Sequence, residues 1–170
     1  MHVRTVPARR IGIAAFAILT AALTQSAAIA ADPSRPHKGS CSTIVTPVSA
    51  PGVFPQQLRI DSDCRLTHLG RTTGRTDQLV TPTGPPNPTI PLNIVNVTTY
   101  QAANGDQLYM MFTGSGQLDP GTGNVTFYGT ETYTGGTGRF AGATGSASVD
   151  GSASIFTNLG AFTLQGRIAY

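Results

Sequence analysis

Apolar and hydroxyl-bearing residues alternate with a period of two through most of this chain, and that restricts it to β-structure. In "NVTFYGTETYT" (124–134) Val125, Phe127, Gly129, Glu131 and Tyr133 share one face, opposed by threonines and Tyr128. In "GAFTLQGRIAY" (160–170) Phe162, Leu164, Gly166, Ile168 and Tyr170 oppose Thr163, Gln165 and Arg167. No stretch of the mature chain holds apolar residues at helical spacing over three turns, and proline and glycine interrupt too often for one to form. The stretches that read as strands are 42–48, 56–61, 64–71, 76–81, 91–100, 106–118, 124–134, 138–151 and 160–170. Turn signals such as "NGD" (104–106), "DPGTGN" (119–124) and "TNLG" (157–160) separate them. Short strands joined by tight turns predict an all-β antiparallel meander. One apolar face per strand suits a closed barrel with a packed interior. Fourteen of the 20 glycines lie beyond residue 104, as the sharp coiling of a small barrel requires. The irregular "TPTGPPNPTIP" (81–91) reads as a surface loop over one barrel, because neither half of the chain is long enough for a core of its own.

The first thirty residues read differently. Arg4, Arg9 and Arg10 precede the apolar "IGIAAFAILTAALT", and Ala28 and Ala30 stand at −3 and −1 of a cleavage site. That is the pattern of a cleaved secretory signal peptide over 1–30, which predicts a secreted, extracellular or periplasmic protein. The polar "ADPSRPHKGS" (31–40) reads as a flexible arm, followed by the barrel domain over 41–170. The formal charge of +3 belongs to the leader, because the chain from Ala31 carries eight basic and eight acidic residues. Without a basic cluster, neither nucleic acid nor an anionic membrane surface is an expected partner, and no membrane association is expected after cleavage. No cofactor is expected either.

Cys41 and Cys64 are the only cysteines, and an even count in an exported chain predicts a disulfide. His37 and Cys41, with Cys64 and His68, mirror the spacing of a Cys₂His₂ zinc site. Ligands four residues apart converge on one ion only on a helix, and on a strand they lie about 13 Å apart. The disulfide is the better reading, and no metal is expected.

"TGGTGRFAGATGSA" (134–147) contains the relaxed dinucleotide pattern G-x-G-x-x-G/A. That pattern binds a pyrophosphate only where the loop opens a helix, and "AGATGSASVDGSAS" does not read as one. A calcium-binding nonapeptide fails too, since Phe140 stands where the aspartate is needed. The stretch is therefore read as a hairpin with Phe140 plugging apolar space. Together with "FYGTETY" before it, it resembles the signature hairpin of the dirigent and allene oxide cyclase barrel superfamily, and "THLGRTTG" (67–74) is similar to a segment of secreted bacterial relatives. The resemblance implies an eight-stranded antiparallel β-barrel with a central cavity. Plant dirigent proteins usually have lysine where Arg139 stands, and that family's early-strand acidic residues have no counterpart here.

No G-x-S-x-G, H-E-x-x-H or P-loop occurs. Glu131 is the only glutamate, on the face of Phe127 and Tyr133. If that face points inward, Glu131 is a carboxyl in an apolar pocket with a raised pKa; otherwise a rim position or bulge turns it to solvent. The candidate catalytic residues are Glu131, Tyr133 and His68, with His68 either pairing with Glu131 or serving structure. The candidate ligand-binding residues are Phe127, Tyr133 and Arg139, and Arg139 reads equally as hairpin surface. Asn96 and Asn124 stand in glycosylation sequons. Two functions follow: a secreted barrel that binds a small apolar molecule or serves as a surface module, compatible with a homo-oligomer, or a dirigent-like or cyclase-like enzyme using its cavity and one acid.

Overall fold

The computed structural model describes residues 34–170, and the expected signal peptide and its cleavage site lie outside the described residues. Eight antiparallel strands form a closed up-and-down barrel: β1 (Arg35–Pro47), β2 (Gln56–Leu66), β3 (Gly70–Pro82), β4 (Ile90–Ala102), β5 (Gln107–Asp119), β6 (Asn124–Gly136), β7 (Thr144–Ser154) and β8 (Leu159–Ala169). Each strand pairs with its sequence neighbours, and β1 closes the sheet on β8. The two-residue period sets the faces as expected: on β6 Val125, Phe127, Gly129, Glu131 and Tyr133 face inward while the intervening residues are exposed.

Four sequence expectations are corrected. First, the stretch read as a loose arm is a strand from Arg35 onward, because Arg35 to Ile44 pair with Ile168 back to Leu159 and close the barrel. Pro36 and Lys38 are exposed on the outside and Arg35 lies over the Tyr170 ring at the closed end, while His37 and Cys41 point in. Second, 56–61 belongs to the longer β2, which continues through the inward-facing Ser62 to Leu66. Third, 64–71 is not one strand. The chain turns at 67–69, where His68 takes the left-handed backbone (φ 71°), and β3 begins at Gly70. Fourth, 138–151 begins not as a strand but as a short 3₁₀ turn, Gly138–Phe140, before β7.

The two ends of the barrel differ. At one end the 67–69 and 103–106 turns and the 137–143 hairpin loop, with the start of β1, close the barrel. Phe140 is 0% exposed there, against Tyr170 at 4.8 Å between ring centroids, and Leu66, Leu69, Leu108, Ala143 and Ile168 complete the plug. At the other end the 48–55, 83–89, 120–123 and 155–158 loops surround an opening. The 83–89 loop joins adjacent strands of the one barrel, as expected. Cys41 and Cys64 face each other across the β1–β2 pair and form the predicted disulfide. Among the described residues, no group of three or more histidine, cysteine or acidic side chains converges as a metal site.

Candidate functional site

A cavity of about 510 Å³ enters the barrel from the open end. Most of its wall is apolar, with Leu92, Ile94, Phe112, Phe127 and Phe162 pointing inward from β4, β5, β6 and β8. One side is polar. There Asn96 donates to Gln78 Oε1 (3.1 Å), and the Thr76 and Thr98 hydroxyls lie 2.6 Å apart across β3 and β4. Asn96 thus faces the interior, so its sequon is not on the surface, whereas Asn124 is exposed.

This polar stripe leads down to Tyr100 and Glu131, which meet at the inner end. Glu131 sits on β6 in register with Phe112 of β5 and Ala147 of β7. It is 1% exposed. The Tyr100 hydroxyl, from β4 two strands away, donates to Glu131 Oε1 at 2.9 Å. Room for the Tyr100 ring comes from Gly74, its register partner, where a Cβ would stand 3.0 Å from the ring and 2.3 Å from Ser62 Oγ. The β-bulge that would have turned Glu131 outward lies past Tyr133, between Tyr109 and Met110 of the facing strand, so Glu131 and Tyr133 both stay inside.

Burial, with no countercharge against Glu131 among the described residues, decides the electrostatics. Desolvation pushes the Glu131 carboxyl up to about 7, against a smaller opposing pull from the Tyr100 hydrogen bond. Burial, and then the nearby carboxylate, also raise Tyr100 and Tyr133 well above the ordinary phenol range. Beyond Tyr133, the His37 ring meets it edge-on at 5.4 Å. Burial, reinforced by His68, lowers His37 to about 4. Glu131 Oε2, the Tyr133 hydroxyl and His37 Nε2 are buried without a hydrogen-bond partner among the described residues. The acid and the imidazole are therefore both neutral between about pH 4 and 7. A neutral carboxylic acid can donate a hydrogen bond or a proton, which a carboxylate cannot.

The structure brings only part of the expected constellation together. Glu131 and Phe127 line the cavity, and Tyr133 lies beneath its floor. His68 is not joined to Glu131. Its Nε2 donates to the Pro36 carbonyl at 2.8 Å, and its ring stacks on His37 at 6.3 Å, which fixes a turn at the closed end. Arg139 is likewise outside the cavity, paired with Asp106 at 3.5 Å and lying over the Phe140 ring at 4.9 Å. Tyr100 and His37 were not anticipated. Tyr100 carries a detectable signal, since Leu92, Ile94, Asn96, Thr98 and Tyr100 form one alternating face, but its polar members hide which side is inward.

No protein-family model matches the sequence, and no curated protein matches it in sequence. Among solved structures, the chain is similar to the pterocarpan synthase dirigent protein PsPTS1, with a TM-score of 0.52 and 15% sequence identity over 82% of this chain and 96% of that one. The fold is thus that of the dirigent-like barrels, as the 134–147 hairpin suggested.

Proposed function

We propose that this protein is a secreted dirigent-like barrel that binds one small, mostly apolar molecule, with a polar atom of the ligand set against the Glu131–Tyr100 pair. The observation that carries the reading is the single carboxyl at the inner end of an apolar cavity, with one oxygen held by Tyr100 and the other without a partner among the described residues. A buried polar group without a partner costs roughly 1–3 kcal/mol, and a ligand oxygen or nitrogen relieves that cost. The volume falls in the range of about 300–1,000 Å³ usual for small-molecule sites. The leader pattern over residues 1–30 and the Cys41–Cys64 bond support export.

A second reading is favoured by one fact: the Glu131 proton leaves near neutral pH. A general acid works best with a pKa near the operating pH, so the same site suits an enzyme that protonates a substrate held against Phe127. The likeness to a protein named as a synthase agrees with that reading in architecture alone.

The test uses 2-naphthol, an apolar ring with one hydroxyl, and naphthalene, which lacks it. Fluorescence titration should give one saturable site for 2-naphthol, about tenfold weaker for naphthalene and for Glu131→Gln, equivalent to about 1.4 kcal/mol. Equal binding of both probes would remove Glu131 from recognition, and no binding of either would remove the cavity reading. Export is checked by the intact mass of the secreted form, which should begin at Ala31.

A further inference from the structure

The two ends of the barrel differ in charge as sharply as in packing. The four loops around the opening, residues 48–55, 83–89, 120–123 and 155–158, contain no aspartate, glutamate, lysine, arginine or histidine. Asp119, which borders the 120–123 loop, is tied into its own turn: it accepts from the Gly121 and Thr122 amides (2.8 and 3.3 Å) and from the Thr122 hydroxyl (2.9 Å). The opposite end carries Arg35, Lys38, Arg65, Arg71, Arg139 and Arg167 together with Asp63 and Asp106.

Large apolar side chains stand exposed on the uncharged end. Val48, Val53 and Phe54 project from the 48–55 loop, and Ile155 and Phe156 from the 155–158 loop, with Phe54 at 55% and Phe156 at 67% exposure. The rim is braced. The Ile155 amide donates to the Gly123 carbonyl, the Val45 amide donates to the Asn158 carbonyl, and Phe156 lies so close over Gly123 that a Cβ there would be 2.7 Å from its ring. Phe54 and Ile155 belong both to this rim and to the cavity wall, so the apolar surface runs from outside to inside.

We infer that this end seats on an uncharged lipid surface, with Phe54 and Phe156 entering the headgroup–acyl boundary and the cavity opening toward it. The charge distribution selects this occupant. A charge-free rim gives an anionic headgroup nothing to pair with and leaves no ion to desolvate at the boundary. Apolar tips on separate loops around an opening fit a fluid phase, which needs no register. A folded partner needs polar pairs around an apolar centre to fix its orientation. This docking mode departs from the expectation of no membrane association after cleavage, which rested on the balanced charge of the chain from Ala31, because a charge-free apolar rim needs no electrostatic attraction. It does not depend on what the cavity binds.

The experiment is flotation of the protein as secreted, its mass checked first, with large unilamellar vesicles of phosphatidylcholine. The wild type should float, equally at low and high salt and with no gain from added phosphatidylserine. The double variant Val53→Ser, Phe156→Ser, at two exposed rim tips outside the cavity wall, should lose at least about tenfold in partitioning, with its melting temperature and its 2-naphthol affinity unchanged. That last readout separates a failed docking surface from a failed cavity reading. Wild type that stays with the aqueous phase would overturn the inference, as would binding that requires anionic lipid. So would a concentration-dependent dimer that the same double variant abolishes without any vesicle binding, since the occupant would then be a second copy of the chain.

Discussion

The closed end of this barrel and its open half are built from the same alternating strands, yet one is a solid core and the other a cavity. At the closed end Phe140, Leu108 and Ile168 are wholly removed from solvent. In the open half the inward residues Val80, Ile90, Leu118, Val125, Phe127 and Phe162 are only partly buried. The difference lies in what covers the strand ends. The 137–143 hairpin loop folds Phe140 back under the barrel, whereas the loops at the other end leave Phe54 and Phe156 largely exposed. Alternation therefore sets which residues point in, and loop side chains decide whether the interior is filled.

Deleting the plug tests that contrast most severely. Phe140→Ala should cost about 3–5 kcal/mol, the usual range for a fully buried phenylalanine, read as a shift in the urea midpoint. A cost under about 0.5 kcal/mol would mean that the closed end does not depend on its plug. Next comes the Cys41–Cys64 bond, which ties strands whose residues lie 23 apart in sequence. Replacing both cysteines with alanine should lower stability by about 3 kcal/mol, chiefly by freeing the unfolded chain. Thiol titration of the denatured, unreduced wild type should find no free thiol.

Much of the closed end was legible in the sequence. The glycine-rich 134–147 stretch announced a hairpin, and an isolated phenylalanine inside it announced a plug. The disulfide followed from an even cysteine count. Glu131 stood out as the only glutamate on an apolar face. The polar parts of the interior were less legible, for one physical reason: a barrel wide enough to hold a cavity tolerates Ser62, Asn96 and Thr98 on inward positions, where they bond to one another or face the cavity. Those residues broke the apolar period that marks a face. They split the expected β2, and they left Tyr100 without a side. His37 was lost differently. Pro36 and Lys38 beside it belong to the outer wall of β1 and Arg35 to its end, and the pairing with β8 that makes it a strand is a contact between the two ends of the described chain.

The buried polar groups at the boundary between the two halves predict opposed pH effects. Glu131 is raised from 4.5 to about 7, so the fold keeps a proton that the unfolded chain releases. Its contribution is full below pH 4.5 and is lost as the pH rises through 7. His37 is lowered from 6.5 to about 4, so its contribution is full above 6.5 and is lost as the pH falls toward 4. Each amounts to roughly 3 kcal/mol, and between pH 4.5 and 6.5 their slopes cancel. Wild-type stability should be nearly flat across that window. Glu131→Gln should become more stable as the pH rises through it, and His37→Gln less stable. Urea melts at several pH values read the sign directly. Two parallel profiles would show that these groups titrate normally in the fold.

The smallest effect belongs to the cavity wall, and it sharpens the contrast with Phe140. Phe127 faces the cavity and is half-buried, so truncating it removes little packed contact and leaves no sealed void. The cost of a large-to-small change grows with the cavity it creates, and here the space already exists and opens outward. Phe127→Ala should therefore cost roughly 1 kcal/mol, less than half the effect of the same change at Phe140. Its consequence should appear in binding instead. Phe127 lines the cavity with Glu131, in register with Gly116 of β5 and Gly151 of β7, so its ring forms part of the wall that a ligand must touch. The 2-naphthol affinity should fall severalfold in a variant whose melt is almost unchanged. If Phe127→Ala instead matched Phe140→Ala in stability, the open half would be a packed core like the closed one, and the division of the barrel into plug and cavity would not hold.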